Sequence, residues 1–189
     1  MIFILGLRGT GTSCIFKMVN SHPDIQPKLK FEPHELSFAL DVSHIGRYKG
    51  NPFVKDTLDC WHAGIYSGAK IAYNPGQVSL RWKWIYEIFP DSYFIFVTRD
   101  AECGYKSLVS KDEDAIYGVP SFEQYKSYRK TLNISFLTYR LGHSGTSVML
   151  NYDRMLEFKG IDPVWNMLGI EKISVKNMIR EPRNVKEVK

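Results

Sequence analysis

Three glycines and three hydroxyl side chains fall within the eight residues Gly6-Leu7-Arg8-Gly9-Thr10-Gly11-Thr12-Ser13. Glycines let a backbone wrap closely round an anion, and unpaired N–H groups at a helix start bind it. Such a run, set between a strand and a helix, can therefore hold a phosphate. The spacing nearly matches the nucleotide-binding pattern G-x-x-x-x-G-K-[ST], with Thr12 in place of the lysine. That lysine reaches the β- and γ-phosphates of ATP or GTP, so its absence argues against a hydrolase or kinase of those nucleotides. A glycine-rich turn without a ligand is the plain alternative, although a turn alone requires fewer glycines and hydroxyls. The second candidate pair is Arg99 and, eight positions later, Ser107. A guanidinium fork suits a phosphate bidentately, and a serine adds a neutral hydroxyl. Taken singly, each has an ordinary reading: an ion pair of Arg99 with Asp100 or a neighbour, and a helix-surface serine.

These residues need a scaffold that presents them on one side. The segment 2–5 is almost wholly apolar and reads as a buried strand, and 12–20 suits a helix stopped by Ser21-His22-Pro23. Strand, loop and helix follow in the order a phosphate loop requires. Residues 23–50 are rich in Pro, Lys, His and Gly, with one helical turn expected near 35–41, and are candidates for substrate-side loops. A short strand is expected at 53–55. Val78, Trp82, Ile85 and Phe89 recur at helical intervals over 77–89, closed by Pro90-Asp91. The run 92–98 is too continuous in apolar residues to have an exposed face, so it reads as a central strand that delivers Arg99 at its carboxyl end. Helices are expected at 101–110 and 121–141, and a last strand at 147–151. Strands separated by helices predict an α/β fold of three layers, a central parallel sheet flanked by helices, in one domain over 1–189.

The residues from Phe3 to Ser13, followed by Asn20-Ser21-His22-Pro23-Asp24-Ile25, resemble the 5′-phosphosulfate loop and first helix of sulfotransferases that use 3′-phosphoadenosine 5′-phosphosulfate (PAPS). That family reads G-x-P-[KR]-S-G-T-[TS] and then a short helix into H-P-D-[IV]. The basic position before S-G-T falls on Gly9 here, and Arg8 stands one place earlier. The stretch from Phe89 to Asp100, with Ser107, is similar to the family's 3′-phosphate element. The resemblance implies a PAPS site, released as the product PAP, formed by Arg8, Gly9, Thr10, Gly11, Thr12 and Ser13 on the 5′ side and by Arg99 and Ser107 on the 3′ side. It covers about a third of the chain, and family members are commonly longer.

Sulfuryl transfer needs an in-line nucleophile, a base, and positive groups to stabilise charge on the leaving phosphate. Lys30-Phe31-Glu32-Pro33-His34-Glu35 resembles the K-E-x-H-[FY]-F stretch of the carbohydrate sulfotransferases, which implies Glu32 as general base, His34 as its neighbour, and Arg8 as the charge-stabilising group. Glu35, His34 itself and His62 stand as rival bases. Lys55 resembles the family's second basic position, and Tyr152-Asp153-Arg154-Met155-Leu156 its Y-[ED]-D-L segment, which implies a structural role there. Trp61, Trp84 and Trp165 could stack on adenine or a sugar, whereas the helical spacing of Trp82 points to the core.

Composition narrows the function class. With 189 residues, 44% apolar and 24% charged, the chain can bury one real core. Its net charge of +5 suits an anionic ligand, but no dense basic run interleaves with aromatics, so nucleic acid is not an expected partner. No apolar run reaches membrane-spanning length and no leader is evident at the amino end. Cys14, Cys60 and Cys103 are widely spaced and lack metal or redox pairing, so a reduced, cytoplasmic protein without a metal site is expected. The expected partner is a small-molecule or carbohydrate acceptor, and a homo-oligomer is compatible. A magnesium-dependent nucleotide or nucleoside kinase and a non-catalytic PAP-binding module remain the alternatives.

Overall fold

The computed structural model describes residues 2–7, 9–25, 90–110, 121–158 and 160–178, and residues 60–65 through their backbone pairing. The elements in chain order are β1 (Ile2–Leu7), α1 (Thr12–Val19), β2 (Cys60–Ile65), β3 (Tyr93–Thr98), α2 (Ala101–Val109), α3 (Phe122–Gly142), β4 (Ser147–Asn151), α4 (Tyr152–Phe158) and α5 (Asp162–Leu168). A short 3₁₀ turn follows at Lys176–Met178. The four strands form one sheet in the order β2-β1-β3-β4. Every neighbouring pair is parallel. The fold is therefore the α/β architecture expected, with a parallel sheet flanked by helices.

Side-chain alternation explains why both faces of the sheet are covered. Ile2 and Ile4 of β1, Ile95 and Val97 of β3, and Val148 and Leu150 of β4 join one core with Ile15, Met18 and Val19 of α1, Met155 of α4, and Val164, Trp165 and Leu168 of α5. The alternate residues face α3. Phe96 stacks on Phe136 with ring centroids 4.2 Å apart, and Phe94 meets Tyr139 edge-on at 5.4 Å. Phe3 stacks on Phe94 at 5.6 Å on the same face. Strands buried on both faces need the near-continuous apolar runs that β1 and β3 carry.

Local signals end the helices where the chain must turn. Ser121 and Gln124 form a reciprocal capping box at the start of α3. Helix α5 has Pro163 in its first turn and Gly169, at φ 67°, just past its end. Beyond α1, the Nδ1 of buried His22 accepts the Asp24 N–H at 3.1 Å. Its other ring nitrogen must then carry the proton, and it donates to the Glu171 carbonyl at 2.9 Å. The His-Pro-Asp turn thus ties the end of α1 to the segment after α5.

Sequence reading and structure differ in a few places. Strand β1 runs on to Leu7 because its register with β2 extends to the pair Leu7↔Ile65. Strand β2 was not expected, since His62 and Gly64 interrupt its apolar pattern and its pairing with β1 supplies the stabilisation instead. Helices α4 and α5 have seven residues each, too few for periodicity to reveal. The expected strand at 53–55 and helical segments at 35–41 and 77–89 lie outside the described residues. No helix among the described residues is long and apolar enough to cross a membrane.

Candidate functional site

All four strands end on the same side of the sheet, and three of them hand a short described segment to the site. β1 leads into the glycine loop, β3 into Arg99-Asp100, and β4 directly into Tyr152-Asp153. From β1 the chain moves outward to β2 on one side and then to β3 and β4 on the other. The direction of travel reverses beside β1, and open α/β sheets bind ligands at the carboxyl ends of strands at such a reversal.

The loop is shaped by its glycines and closed by Thr10. Both the N–H and the hydroxyl of buried Thr10 donate to the Leu7 carbonyl, at 3.1 and 2.7 Å. Gly9 and Gly11 have φ of 90° and 96°, a region costly for any residue with a Cβ. A Cβ on Gly9 would overlap the Gly104 carbonyl of α2, and one on Gly11 would overlap the Tyr152 ring. The loop is thus pressed between α2 and Tyr152. Gly11 precedes α1 and offers no side-chain cap, so the first N–H groups of the helix are left for an external acceptor. Ser13 is exposed on the helix's first turn, whereas Thr12 is buried with its methyl group turned toward Gly6. The residue in the lysine position of the nucleotide-binding pattern therefore packs into the core.

Arg99 forms the facing wall. Its side chain is 15% exposed, and its Nε donates to Asp153 Oδ1 at 3.1 Å. Nη1 donates to the Gly9 carbonyl at 3.3 Å, which joins the Arg99 corner to the glycine loop. The guanidinium carbon lies 4.9 Å from the centre of the Tyr152 ring, in cation–π range. The backbone is held as well: Arg129 Nε of α3 donates to the Arg99 carbonyl at 2.6 Å, and the Asp100 N–H donates to Asp153 Oδ2 at 2.9 Å. Asp100 caps α2 by accepting from the N–H groups of Glu102 and Cys103. The Cys103 N–H above all, with those of Glu102 and Ala101 and the nearby Arg129, holds the Asp100 carboxyl below the usual carboxylate range, against the opposing effect of its partial burial.

Ser107 is half-buried on α2, in the turn between Gly104 and Leu108 that abuts Gly9. Burial first, and then the neighbouring Cys14 thiol, push the Tyr152 phenol well above its ordinary range, so it stays neutral under the guanidinium. Burial likewise raises the Tyr125 phenol, whose oxygen fills the space that the absent side chain of Gly104 leaves open.

Of the residues expected from sequence, Gly9, Thr10, Gly11, Thr12, Ser13, Arg99 and Ser107 gather round this one corner. Arg8, Glu32, His34, Glu35 and Lys55 lie outside the described residues, and His62 pairs through its backbone with Ile4. The ordinary alternative for Arg99 is met in part, because it does form an ion pair, with Asp153 rather than Asp100. Arg129 and Gly104 were not anticipated. The family resemblance implies only a structural role for Tyr152 and Asp153, whereas the pairing of Thr98 with Asn151 places the residues after both strands side by side. Among the described residues no cluster of His, Cys, Asp and Glu could hold a metal ion.

No protein family matches the chain by sequence profile, and no curated protein matches it by sequence. Its fold is similar to the crystal structure of a sulfotransferase from Alicyclobacillus acidocaldarius. That likeness has a TM-score of 0.54 at 15% identity and covers 96% of this chain and 86% of the other. The chain therefore has a sulfotransferase-like fold.

Proposed function

We propose that this chain is a sulfotransferase that takes its sulfuryl group from PAPS and passes it to a hydroxyl or amine of a small-molecule or carbohydrate acceptor. The observation that carries the reading is the contact of Arg99 Nη1 with the Gly9 carbonyl. It joins the two sequence segments assigned to the two ends of one nucleotide. The cradle also fits such a donor: a side chain at Gly9 or Gly11 would close the loop, and the uncapped start of α1 offers N–H groups to an anion.

In this reading the donor supplies an activated sulfuryl group and a phosphate leaving group. The backbone from Gly11 to Ser13, in the loop that Thr10 closes, binds the 5′ side, and the dipole of α1 favours the charge that develops there. Arg99 and Ser107 bind the 3′-phosphate, the group that sets this nucleotide apart from ATP. Arg8 stabilises the leaving phosphate. Glu32 takes the proton from the acceptor's nucleophile, and His34 takes the place of its neighbour in the family's motif. The burial of Thr12 weighs against a kinase, because nothing at that position reaches toward a γ-phosphate.

The test is calorimetric titration with PAP, beside ADP and ATP with and without magnesium, for the wild type and Arg99→Ala. Selective binding of PAP that ignores magnesium is expected. Arg99→Ala should weaken it by roughly 10- to 100-fold, the worth of one charge-assisted hydrogen bond. Preference for ATP with magnesium would sink the reading in favour of a kinase. Tight PAP binding with no sulfation of any acceptor tried would reduce it to a nucleotide-binding module.

A further inference from the structure

The Arg99 side chain is held on three sides before any ligand arrives. Asp153 accepts from Nε on one edge, the Gly9 carbonyl accepts from Nη1, and the Tyr152 ring lies beneath the plane. The same carboxylate also accepts the next backbone N–H, that of Asp100, so Asp153 grips both the side chain of residue 99 and the chain that follows it. A guanidinium has five N–H donors. Two are used by Asp153 and Gly9, and the others, on the Nη groups, have no partner among the described residues. Asp153 therefore withdraws the Nε edge from recognition and leaves the Nη end to meet an anion.

We infer that Asp153, supported by Tyr152, is the positioning residue that makes Arg99 selective for a 3′-phosphate. The inference rests on the nucleotide assignment proposed above and adds to it the device that sets selectivity. Preorganisation is the physical gain, because a free arginine loses rotamer freedom when it binds and a clamped one has already lost it. A bland alternative exists in which Asp153 only ties the start of α4 to the end of β3. A second is competition, in which its negative charge opposes the phosphate. The three differ in which ligand they affect.

The experiment compares dissociation constants for PAP and for adenosine 5′-phosphate, which lacks the 3′-phosphate, in the wild type, Asp153→Asn, Asp153→Glu, Arg99→Ala and the double variant Arg99→Ala/Asp153→Asn. An asparagine keeps one acceptor oxygen and puts an NH2 group in place of the other, so in this geometry it retains one of the two bonds. Asp153→Asn should therefore cut the preference for PAP by about tenfold and leave adenosine 5′-phosphate within about twofold. Asp153→Glu, which keeps the carboxylate, should recover part of the preference and keeps the test open if the asparagine variant does not fold. In the double variant the second change should add nothing to Arg99→Ala, because Asp153 acts through Arg99. Equal weakening of both ligands, an unchanged or increased preference for PAP, or additive losses in the double variant would each overturn the positioning role. A wild type that does not distinguish the two ligands would overturn the nucleotide assignment itself, so the two failures are separable.

Discussion

The two walls of the site are built from different materials. The glycine loop is backbone, shaped by two positive-φ glycines and one threonine that bonds within three residues of itself. The Arg99 corner is side chain, assembled from residues 30 and 54 positions away that meet only when α3 and β4 dock beside β3. A backbone wall offers N–H groups to any suitably sized anion and tolerates almost no substitution. A side-chain wall discriminates among ligands and can be altered piecemeal. Generic anion binding and nucleotide selectivity should therefore separate by wall.

The most severe way to break that contrast is Gly11→Ala. The new methyl group meets the Tyr152 ring at a φ of 96°, so left-handed strain and overpacking act together. The expected destabilisation is about 2–4 kcal/mol, with loss of PAP and adenosine 5′-phosphate binding alike. Urea denaturation and titration check it. Loss of one ligand with the other retained would mean that the loop is a selectivity element and the contrast is misplaced.

Arg129→Ala sharpens the other side. The bond from Arg129 to the Arg99 carbonyl is charge-assisted and short, but the arginine is only half-buried. A loss of about 1–2 kcal/mol is expected in urea denaturation, toward the low end for such bonds because solvent screens the charge. Stability equal to wild type would mean that water replaces the bond and that α3 does not brace the corner.

The same division of materials explains what could be read from the sequence. The loop was legible because a backbone wall writes its requirements locally: Gly6, Gly9 and Gly11 fall between an apolar run and a helix, and no distant residue is needed to see them. The central strand and Arg99 at its end were legible for the same reason. Asp153 as the partner of Arg99 was not, because that contact exists only through the parallel register of β3 and β4, and a strand buried on both faces carries no alternation from which its register can be read. Arg129 sits on a helix whose exposed face carries Lys126 and Lys130 as well, so nothing in its pattern marks it out. Nothing in the sequence sets Gly104 apart from any other glycine in a helix. Only the approach of the Gly9 loop and of the Tyr125 hydroxyl gives it a reason.

The smallest expected effect probes the joint between the walls, where Asp100 caps α2 beside Arg99. Asp100→Ala should cost about 1 kcal/mol at neutral pH, the usual worth of an N-cap. The sign of its pH dependence follows from the cap. The carboxyl titrates lower in the folded chain than in the unfolded one, chiefly because the Cys103 N–H donates to it. Its contribution is therefore fully present above the unfolded value, near pH 4, and is lost as the pH falls through the lower folded value. The difference between wild type and Asp100→Ala should shrink when urea denaturation is repeated near pH 3. Asp100→Asn, a good cap without a titrating proton, should stay within a few tenths of a kcal/mol of wild type at neutral pH. A wild-type advantage over alanine that persists undiminished in acid would mean that the protonated carboxyl caps α2 as well as the carboxylate does.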